Sequence, residues 1–471
     1  MKKIVPIIAL LVLLLAVGLV AAQQNNLPGS GWTSGQQVQN VGTGDAKVTM
    51  TAYDTGGTSR TCKEFTIAPG ASATWLTDRD CTVAAGFQGS AVVSSDQPIV
   101  AVVNVNNGQT GNASGQYQGT DGADVSKTIV FPLVKHGHIS RTTTFYVQNA
   151  STSNNNLTAT FVMRDGTQKS KTYNNVPPNA MVVIAPADAG VPSGDGQVGA
   201  LTVVGSQPLA GAALEHETNV PVGNNLQAVS AFTPGDYDST VFCPLYRNAF
   251  AGPRTTSGLQ VQNVDNQSRK ITATFVPRSG GSPVVKEKTA AANSAVTFYA
   301  PTEGFPEGWI GSVEVTSPGN IVAVVNESGL QSVSGQETKT TYACFAEGGV
   351  SDTVNVPLAK EFFLGKTTGI QIQNAGNGNA TINVKYTTKD GKVVTIQNAT
   401  AVGPGGSFTA NQVTNNPSTI SVVSGNLNDL FGQNLGVVIT SNQPIVAMAN
   451  EVSYLGGGDA QDNKNYEGFN R

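Results

Sequence analysis

The chain has 471 residues, of which 12% are charged, and its 27 Lys and Arg against 31 Asp and Glu give a net charge of −4. Soluble domains carry about twice that charged share; here Gly, Thr, Ser, Asn and Val take its place, which is typical of a β-rich, turn-rich protein. No stretch of the chain is strongly basic, which argues against a nucleic-acid partner, because a groove for nucleic acid needs Lys and Arg on one face.

The N-terminus has the pattern of a secretory signal peptide. Two lysines precede an apolar run that ends in Val20-Ala21-Ala22, and this order of basic, apolar and small residues predicts a signal peptide over residues 1–22. The run is long for a signal, so an uncleaved membrane anchor stays as the alternative. Only in that case do we expect the chain to contact a membrane. The protein is therefore predicted to be secreted or held at the cell surface.

The remainder is built from four repeats. Val-Gln-Asn ends at Asn40, Asn149 and Asn263, and Ile-Gln-Asn ends at Asn374, with spacings of 109, 114 and 111 residues. Solenoids and propellers repeat every 20–50 residues or so, and a period of about 110 predicts whole domains in series. We place the repeats at residues 23–124, 125–236, 237–349 and 350–471.

Within each repeat the pattern is that of short antiparallel strands. Leu157, Ala159 and Phe161 alternate with polar residues, as in a half-buried strand. Turns follow at fixed offsets (Pro69-Gly70, Pro178-Asn179, Ala292-Asn293 and Pro404-Gly405), and then come the apolar strands QPIVAVVN, QPLAGAAL, GNIVAVVN and QPIVAMAN. About seven strands per repeat predict an all-β chain of four tandem immunoglobulin-like antiparallel β-sandwiches. The fourth repeat carries a loop insertion near residues 415–429.

The first repeat lacks the strand with which the others begin. TIVFPLVK, TVFCPLYR and TVNVPLAK open the second, third and fourth repeats, and no counterpart precedes Val38 in the mature chain. The first repeat is therefore expected to expose an unpaired strand edge. Either the mature N-terminus or a linker covers that edge, or a neighbouring molecule supplies a strand.

The Val-Gln-Asn opening, the Pro-Gly turn and the closing QPIVAVVN strand resemble the tandem immunoglobulin-like repeats of secreted bacterial surface proteins. The resemblance covers nearly the whole mature chain. It implies an extracellular, non-catalytic role and specifies no ligand.

Four cysteines fit an oxidising compartment. Of the three possible connectivities, Cys62–Cys81 with Cys243–Cys344 is favoured, because each disulfide then stays within one repeat.

Acidic residues recur in the connections between repeats. Asp121 and Asp124, and then Asp236 and Asp238, precede the opening strands of the second and third repeats, and such carboxylates could hold Ca²⁺ and stiffen the connection. The alternative is that Asp populates turns for backbone reasons. No other cofactor is expected, and His136 and His138 are interpreted as a solvated loop pair rather than a metal site.

No motif for catalysis was found. Gly-x-Ser-x-Gly is absent, and no histidine lies near the Ser-rich stretches to activate a hydroxyl, so the chain is not expected to be an enzyme. The leading hypothesis is a structural or adhesive protein, an extended string of repeats that contacts a cell-surface or matrix protein or a polysaccharide. Alternatives are an array of carbohydrate-binding modules, a subunit that self-associates into filaments by strand addition, and, more weakly, a secreted hydrolase.

Overall fold

The protein is almost entirely β-structure. A computed structural model describes residues 27–107, 113–218, 225–251, 254–330, 337–411, 419–453 and 464–470, together with the backbone of a strand at 15–18. It is 65% strand and 4% helix, in several antiparallel sheets. The predicted all-β class is confirmed.

The strands of each repeat follow one another along the chain. Those of the first repeat are β1 (Leu15–Gly18), β2 (Thr33–Asn40), β3 (Ala46–Asp54), β4 (Ser59–Thr61), β5 (Phe65–Ile67), β6 (Ser72–Leu76), β7 (Gly89–Ser95), β8 (Ile99–Asn106), β9 (Ser114–Gln118) and β10 (Thr120–Asp121). Those of the second are β11 (Ser126–His138), β12 (Arg141–Asn149), β13 (Asn155–Met163), β14 (Gln168–Val176), β15 (Met181–Ile184), β16 (Val198–Glu217) and β17 (Leu226–Ser230).

The third and fourth repeats have the same order. The third contains β18 (Asp238–Asn248), β19 (Thr256–Asn263), β20 (Arg269–Pro277), β21 (Val284–Ala290), β22 (Ala295–Tyr299), β23 (Trp309–Leu330), β24 (Glu337–Ala343) and β25 (Phe345–Ala346). The fourth contains β26 (Ser351–Glu361), β27 (Lys366–Asn374), β28 (Ile382–Thr388), β29 (Val393–Asn398), β30 (Ser407–Ala410), β31 (Ile420–Ser424), β32 (Gln433–Ser453), β33 (Lys464–Glu467) and β34 (Phe469–Asn470). The helical segments are short: α1 (Thr77–Asp80) and 3₁₀ turns at Pro186–Ala189, Pro234–Asp236, Glu347–Gly349 and Leu427–Leu430.

One long strand joins the two layers of each sandwich. In the second repeat the first half of β16 pairs with β11 and β13, and its second half pairs with β12 and β17. β23 and β32 do the same in the third and fourth repeats. In the first repeat this strand is divided into β7 and β8, so its two layers are separate sheets.

The predicted insertion in the fourth repeat is only partly a loop. Residues 415–418 lie outside the described residues, and Ile420–Ser424 form β31, which pairs with β29 and widens the sheet. A strand forms here because Ile420-Ser-Val-Val is rich in β-branched residues.

The strand-end asparagine explains the repetition of Val-Gln-Asn. The Asn263 side chain donates to the carbonyls of Gln267 (2.6 Å) and Ala291 (2.9 Å), and its own oxygen accepts from the Asp265 N–H (3.0 Å). Asn40, Asn149 and Asn374 make equivalent bonds to backbone carbonyls. Each asparagine therefore satisfies buried backbone groups where the chain turns.

The four repeats form a closed ring. Val102, Ala212, Val324 and Met448 each lie opposite the residue three places before the strand-end asparagine of their own repeat. All four are buried, and each packs into an apolar cluster of a neighbouring repeat: Ala212 contacts the first, Val324 the second, Met448 the third and Val102 the fourth. The contacts run in one direction and return to their start.

Hydrogen bonds among the four strands that follow the long strands complete the ring. Ser230 donates to the Gln118 carbonyl (2.6 Å) and Gln227 to that of Thr340 (2.9 Å). Asn465 then donates to the Thr340 hydroxyl (2.9 Å), and Gln118 to the Glu467 carbonyl (2.8 Å). These bonds join β9, β17, β24 and β33 in a circuit that begins and ends in the first repeat.

The expectation of an extended string of repeats is therefore wrong. The late strands are apolar on both faces, as in Ile99-Val-Ala-Val-Val. One face fills the core of its own sandwich, and the other is buried against the next repeat, because leaving it in water would cost free energy in proportion to its area.

Candidate anion-binding cleft

A cleft lies between the second and third repeats. Its cavity measures about 540 Å³ and is lined by residues of both repeats, a size within the usual range of ligand sites in proteins. Five cationic side chains form part of its wall: Lys135, Arg141, Arg164, Lys288 and Lys339. This concentration is unusual in a chain with a net charge of −4.

A buried carboxylate holds two of these cations. Glu215 Oε1 accepts from Arg141 Nε (2.7 Å) and from Lys135 Nζ (2.9 Å), and Glu215 is 4% exposed. Burial alone would raise the pKa of Glu215, but Lys135 and Arg141 lower it to about 2. One negative charge thus faces two positive charges, and the cluster is net cationic.

Two buried donors in the wall have no hydrogen-bond acceptor among the described residues. Arg141 is 3% exposed and its Nη2 has no hydrogen-bond acceptor, and Gln260 is 2% exposed and its Nε2 has none. Both residues line the cavity. Both atoms are themselves buried, so the groups of this wall that an occupant can reach are the more exposed cations, such as Arg164, and cations favour an occupant rich in acceptor oxygens.

Hydrogen bonds between the two repeats hold another part of the wall. Arg164 Nη2 donates to the Thr297 hydroxyl (2.6 Å), which in turn donates to the Gln260 side chain. Lys288 Nζ bonds to Glu303 Oε1 (2.6 Å) and lies 4.8 Å from the centre of the Phe298 ring. Arg164 and Lys288 are therefore fixed in place by the third repeat before any ligand binds.

The cleft also offers an aromatic face and hydroxyls. Tyr299 is 42% exposed and lines the cavity beside Thr256, Thr302 and Ser328. An exposed ring beside hydroxyls and cations suits the apolar faces, hydroxyls and acid groups of acidic sugars.

Ion pairs equivalent to that of Glu215 recur in the third and fourth repeats. They were not predicted from the sequence. Arg247 donates to both oxygens of Glu327 (2.8 and 2.6 Å), and Lys360 Nζ lies 2.8 Å from Glu451. The signal was present in the sequence, because TIVFPLVK, TVFCPLYR and TVNVPLAK each end in a basic residue, and a glutamate directly follows QPLAGAAL, GNIVAVVN and QPIVAMAN. In the first repeat Val105 holds the glutamate position and pairs opposite Gly115.

The predicted calcium ligands are not gathered into one group. Asp124 lies near Asp121 and Asp236, and the pKa of Asp124 is raised by burial and by Asp121. Asp236 accepts from the N–H and the hydroxyl of Thr233, and Asp238 accepts from the Gly348 N–H (2.8 Å). Among the described residues no group of three or more His, Cys, Asp or Glu is placed to hold a metal ion, and calcium binding stays a prediction.

The histidine pair is not a solvated loop. His136 and His138 end β11, His136 Nδ1 lies 2.9 Å from the Val191 carbonyl, and His138 Nδ1 accepts from the Gly196 N–H (3.1 Å). The loop before Val198 folds back over both rings, so they hold a connection in place, and His138 also borders the cleft.

The structure pairs the cysteines within repeats. Cys62 is bonded to Cys81, and Cys243 to Cys344. In the described part of the chain, no helix has the length and apolar character needed to cross a bilayer.

Comparison with known proteins gives weak neighbours. No family model and no curated protein matches the chain. The crystal structure of Thermotoga maritima 1070 is 20% identical and covers 24% of this chain and 96% of its own, with a TM-score of 0.21. A tetra-tandem repeat in the extending region of a large adhesion protein is 13% identical (96% and 97% covered, TM-score 0.12). A glycoside hydrolase of family 32 from Bifidobacterium adolescentis is 8% identical (91% and 99% covered, TM-score 0.15). TM-scores this low identify neither fold nor function.

Proposed function

We propose that the chain is an exported, non-catalytic adhesive protein, a ring of four immunoglobulin-like repeats that binds an acidic polysaccharide at the cell surface. The observation that carries the proposal is the concentration of five cations, Lys135, Arg141, Arg164, Lys288 and Lys339, in the wall of one cavity. Such a wall supports binding of an anion rich in oxygen acceptors.

A sugar acid fits the remaining lining better than a bare anion. Tyr299 supplies a ring face, and the threonine and serine hydroxyls are spread along the cavity. A cavity of about 540 Å³ has room for two or three sugar units. The cations support a binding role rather than a catalytic one, because Lys135, Arg141 and Lys288 are each held by a carboxylate.

Export is supported by the two disulfides, which are compatible with an oxidising compartment, and by the apolar N-terminal segment. A role as a long spacer is no longer favoured, because the ring is compact. Calcium binding is tested by isothermal titration of the protein with Ca²⁺, which should give saturable heat if the inter-repeat aspartates hold the ion.

Isothermal titration with polygalacturonate, a polymer of uronic acids, tests the proposal, with neutral dextran as the comparison. We expect saturable binding to polygalacturonate that weakens at least tenfold at high salt, since exposed ionic contacts are screened. Equal binding of both polymers, or of neither, would contradict the proposal.

The Arg164→Gln variant tests whether the cleft is the binding site. The variant removes one cation from the cleft and should weaken binding about three- to tenfold, on the order of 1 kcal/mol. The matched control is Lys270→Gln, which removes the same charge from an exposed pair with Glu287 in the third repeat and should leave affinity unchanged. Equal losses in the two variants would place binding elsewhere.

A further inference from the structure

The first repeat has a strand at the position of the opening strands of the other repeats, and that strand comes from the N-terminal apolar segment. β1 pairs with β7 through Leu15–Ser94, Ala16–Val93, Val17–Val92 and Gly18–Ala91, and with β10 through Val17–Thr120. We call the edge of β7 at Ala91–Ser94, together with β10, the first-strand site.

The register of β1 is that of a native opening strand. In the second repeat, Val130 pairs with Thr202, the third residue after Gly199, and bridges to Phe232. In the first repeat, Val17 pairs with Val92, the third residue after Gly89, and with Thr120. Phe242 in the third repeat pairs with Glu314, the third residue after Gly311, and with Phe345. Asn355 in the fourth pairs with Val438 and Phe469. The backbone of β1 is therefore paired on both sides in the manner of the other opening strands.

A coordinated change of charge supports the match. The basic residues Lys135, Arg247 and Lys360 each stand five places after Val130, Phe242 and Asn355, and each pairs with a buried glutamate. Five places after Val17 the sequence has Ala22, and the glutamate position holds Val105. A buried glutamate without its cation is costly, and both members of the pair are apolar in the first repeat.

The first repeat has a tyrosine at the position from which tyrosines of the third and fourth repeats bond to their opening strands. The hydroxyls of Tyr342 and Tyr466 bond to both the N–H and the carbonyl of Leu245 and Leu358 in their opening strands. Tyr117 occupies the same position on β9, opposite Val103, and is 2% exposed.

We propose that the N-terminal apolar segment is retained after export and serves as the permanent opening strand of the first repeat. Ten residues separate Ala22 from β2, so the segment reaches its site at a high effective concentration and is favoured over a strand from another molecule. Cleavage after Ala22 is incompatible with this assignment.

The test is the N-terminus and amide exchange of the protein exported by its native host. We expect a chain that begins before Leu15, with amides at 91–94 exchanging as slowly as those at the equivalent residues 201–204 of the second repeat. Val17→Pro should speed exchange at 91–94 at least tenfold and leave 201–204 unchanged, and Val17→Ile should change neither.

If the Val17→Pro variant is not exported, a second measurement tests the proposal. The chain of residues 23–471 is mixed with a synthetic peptide of residues 12–22, which should slow exchange at 91–94 at least tenfold, and the same peptide with proline at position 17 should not. An exported chain that begins at Gln23, with 91–94 either open or covered by a second copy, would overturn the proposal. So would fast exchange at 91–94 in the full chain.

Discussion

The interface between the second and third repeats and that between the third and fourth share a plan and differ in chemistry. Arg164 and Arg278 stand at the same offset from their strand-end asparagines, and each donates to the following repeat. Arg164 borders a cleft with four other cations, whereas Arg278 is the one Lys or Arg among the described residues that lines the cavity of about 780 Å³ beside the fourth repeat. The ring thus repeats its framework, and these two cavities differ in the number of cations that line them.

The largest effect is expected from the carboxylate beside the cleft. Glu215→Ala leaves Lys135 and Arg141 buried without their anion, which should lower the free energy of unfolding by about 3–5 kcal/mol. Urea denaturation measures the loss. As a control, Glu287→Ala breaks an exposed pair with Lys270 and should cost less than about 1 kcal/mol. Similar losses in the two variants would refute the role given to Glu215.

The next effect concerns the residue that joins the fourth repeat to the third. Met448 is fully buried in the core of the third repeat, and Met448→Ala should cost about 2–5 kcal/mol. Val423→Ala, at a 56% exposed position of the fourth repeat, is the control and should change stability by less than about 0.5 kcal/mol. Thermal unfolding distinguishes them, and an unaffected Met448→Ala would mean that the ring does not depend on this contact.

The free energy of unfolding should depend on pH in opposite directions through the buried glutamates of the two interfaces. Burial raises the pKa of Glu467, which accepts from the Ala343 N–H, to about 7. Its contribution is therefore complete below pH 4.5 and is lost as the pH rises through 7, by about 3 kcal/mol. Glu215, with a pKa of about 2, contributes above pH 4.5 and loses its contribution as the pH falls towards 2.

Urea denaturation between pH 3 and 8 checks this contrast. Glu467→Gln should flatten part of the decline between pH 5 and 7; Glu361, whose pKa burial also raises to about 7, contributes to the remainder. A Glu467→Gln profile that coincides with the unmodified protein would contradict the assignment.

The smallest effect separates the two arginines. Arg278 also lies 3.5 Å from the Ser407 hydroxyl, and burial lowers its pKa to about 10, so Arg278→Gln should cost about 1–2 kcal/mol of stability. Arg164 is exposed, and Arg164→Gln should cost less than about 1 kcal/mol while weakening the binding of polygalacturonate. Thermal unfolding beside titration checks both, and a reversed order would remove the distinction between the interfaces.

The strands could be predicted because their signals are local. Alternation at Leu157, Ala159 and Phe161, and turns that end in Gly70 or Asn179, whose φ angles are 74° and 58°, depend on neighbouring residues alone. Asn263 could be assigned its capping role for the same reason. Pairing the cysteines required only that each disulfide stay within one repeat.

Ring closure and the cleft depend on residues that look ordinary in the sequence. Val102 and Met448 are apolar residues in apolar strands, and whether their second face meets water or another repeat is decided by packing between distant segments. Arg141 and Gln260 come from different repeats, about 120 residues apart, and their unpartnered donors appear only once the repeats are assembled. The signal available in the sequence was the recurrence of a basic residue at the end of TIVFPLVK and its counterparts together with a glutamate directly after QPLAGAAL and its counterparts.

Small-angle X-ray scattering of the purified protein tests the ring most directly. A compact chain of this length has a radius of gyration of about 23 Å, and a straight row of four such repeats would have one of about 40 Å. We predict a value near 23 Å for the unmodified protein. A value near 40 Å would show that the repeats stand in a row and would contradict the ring.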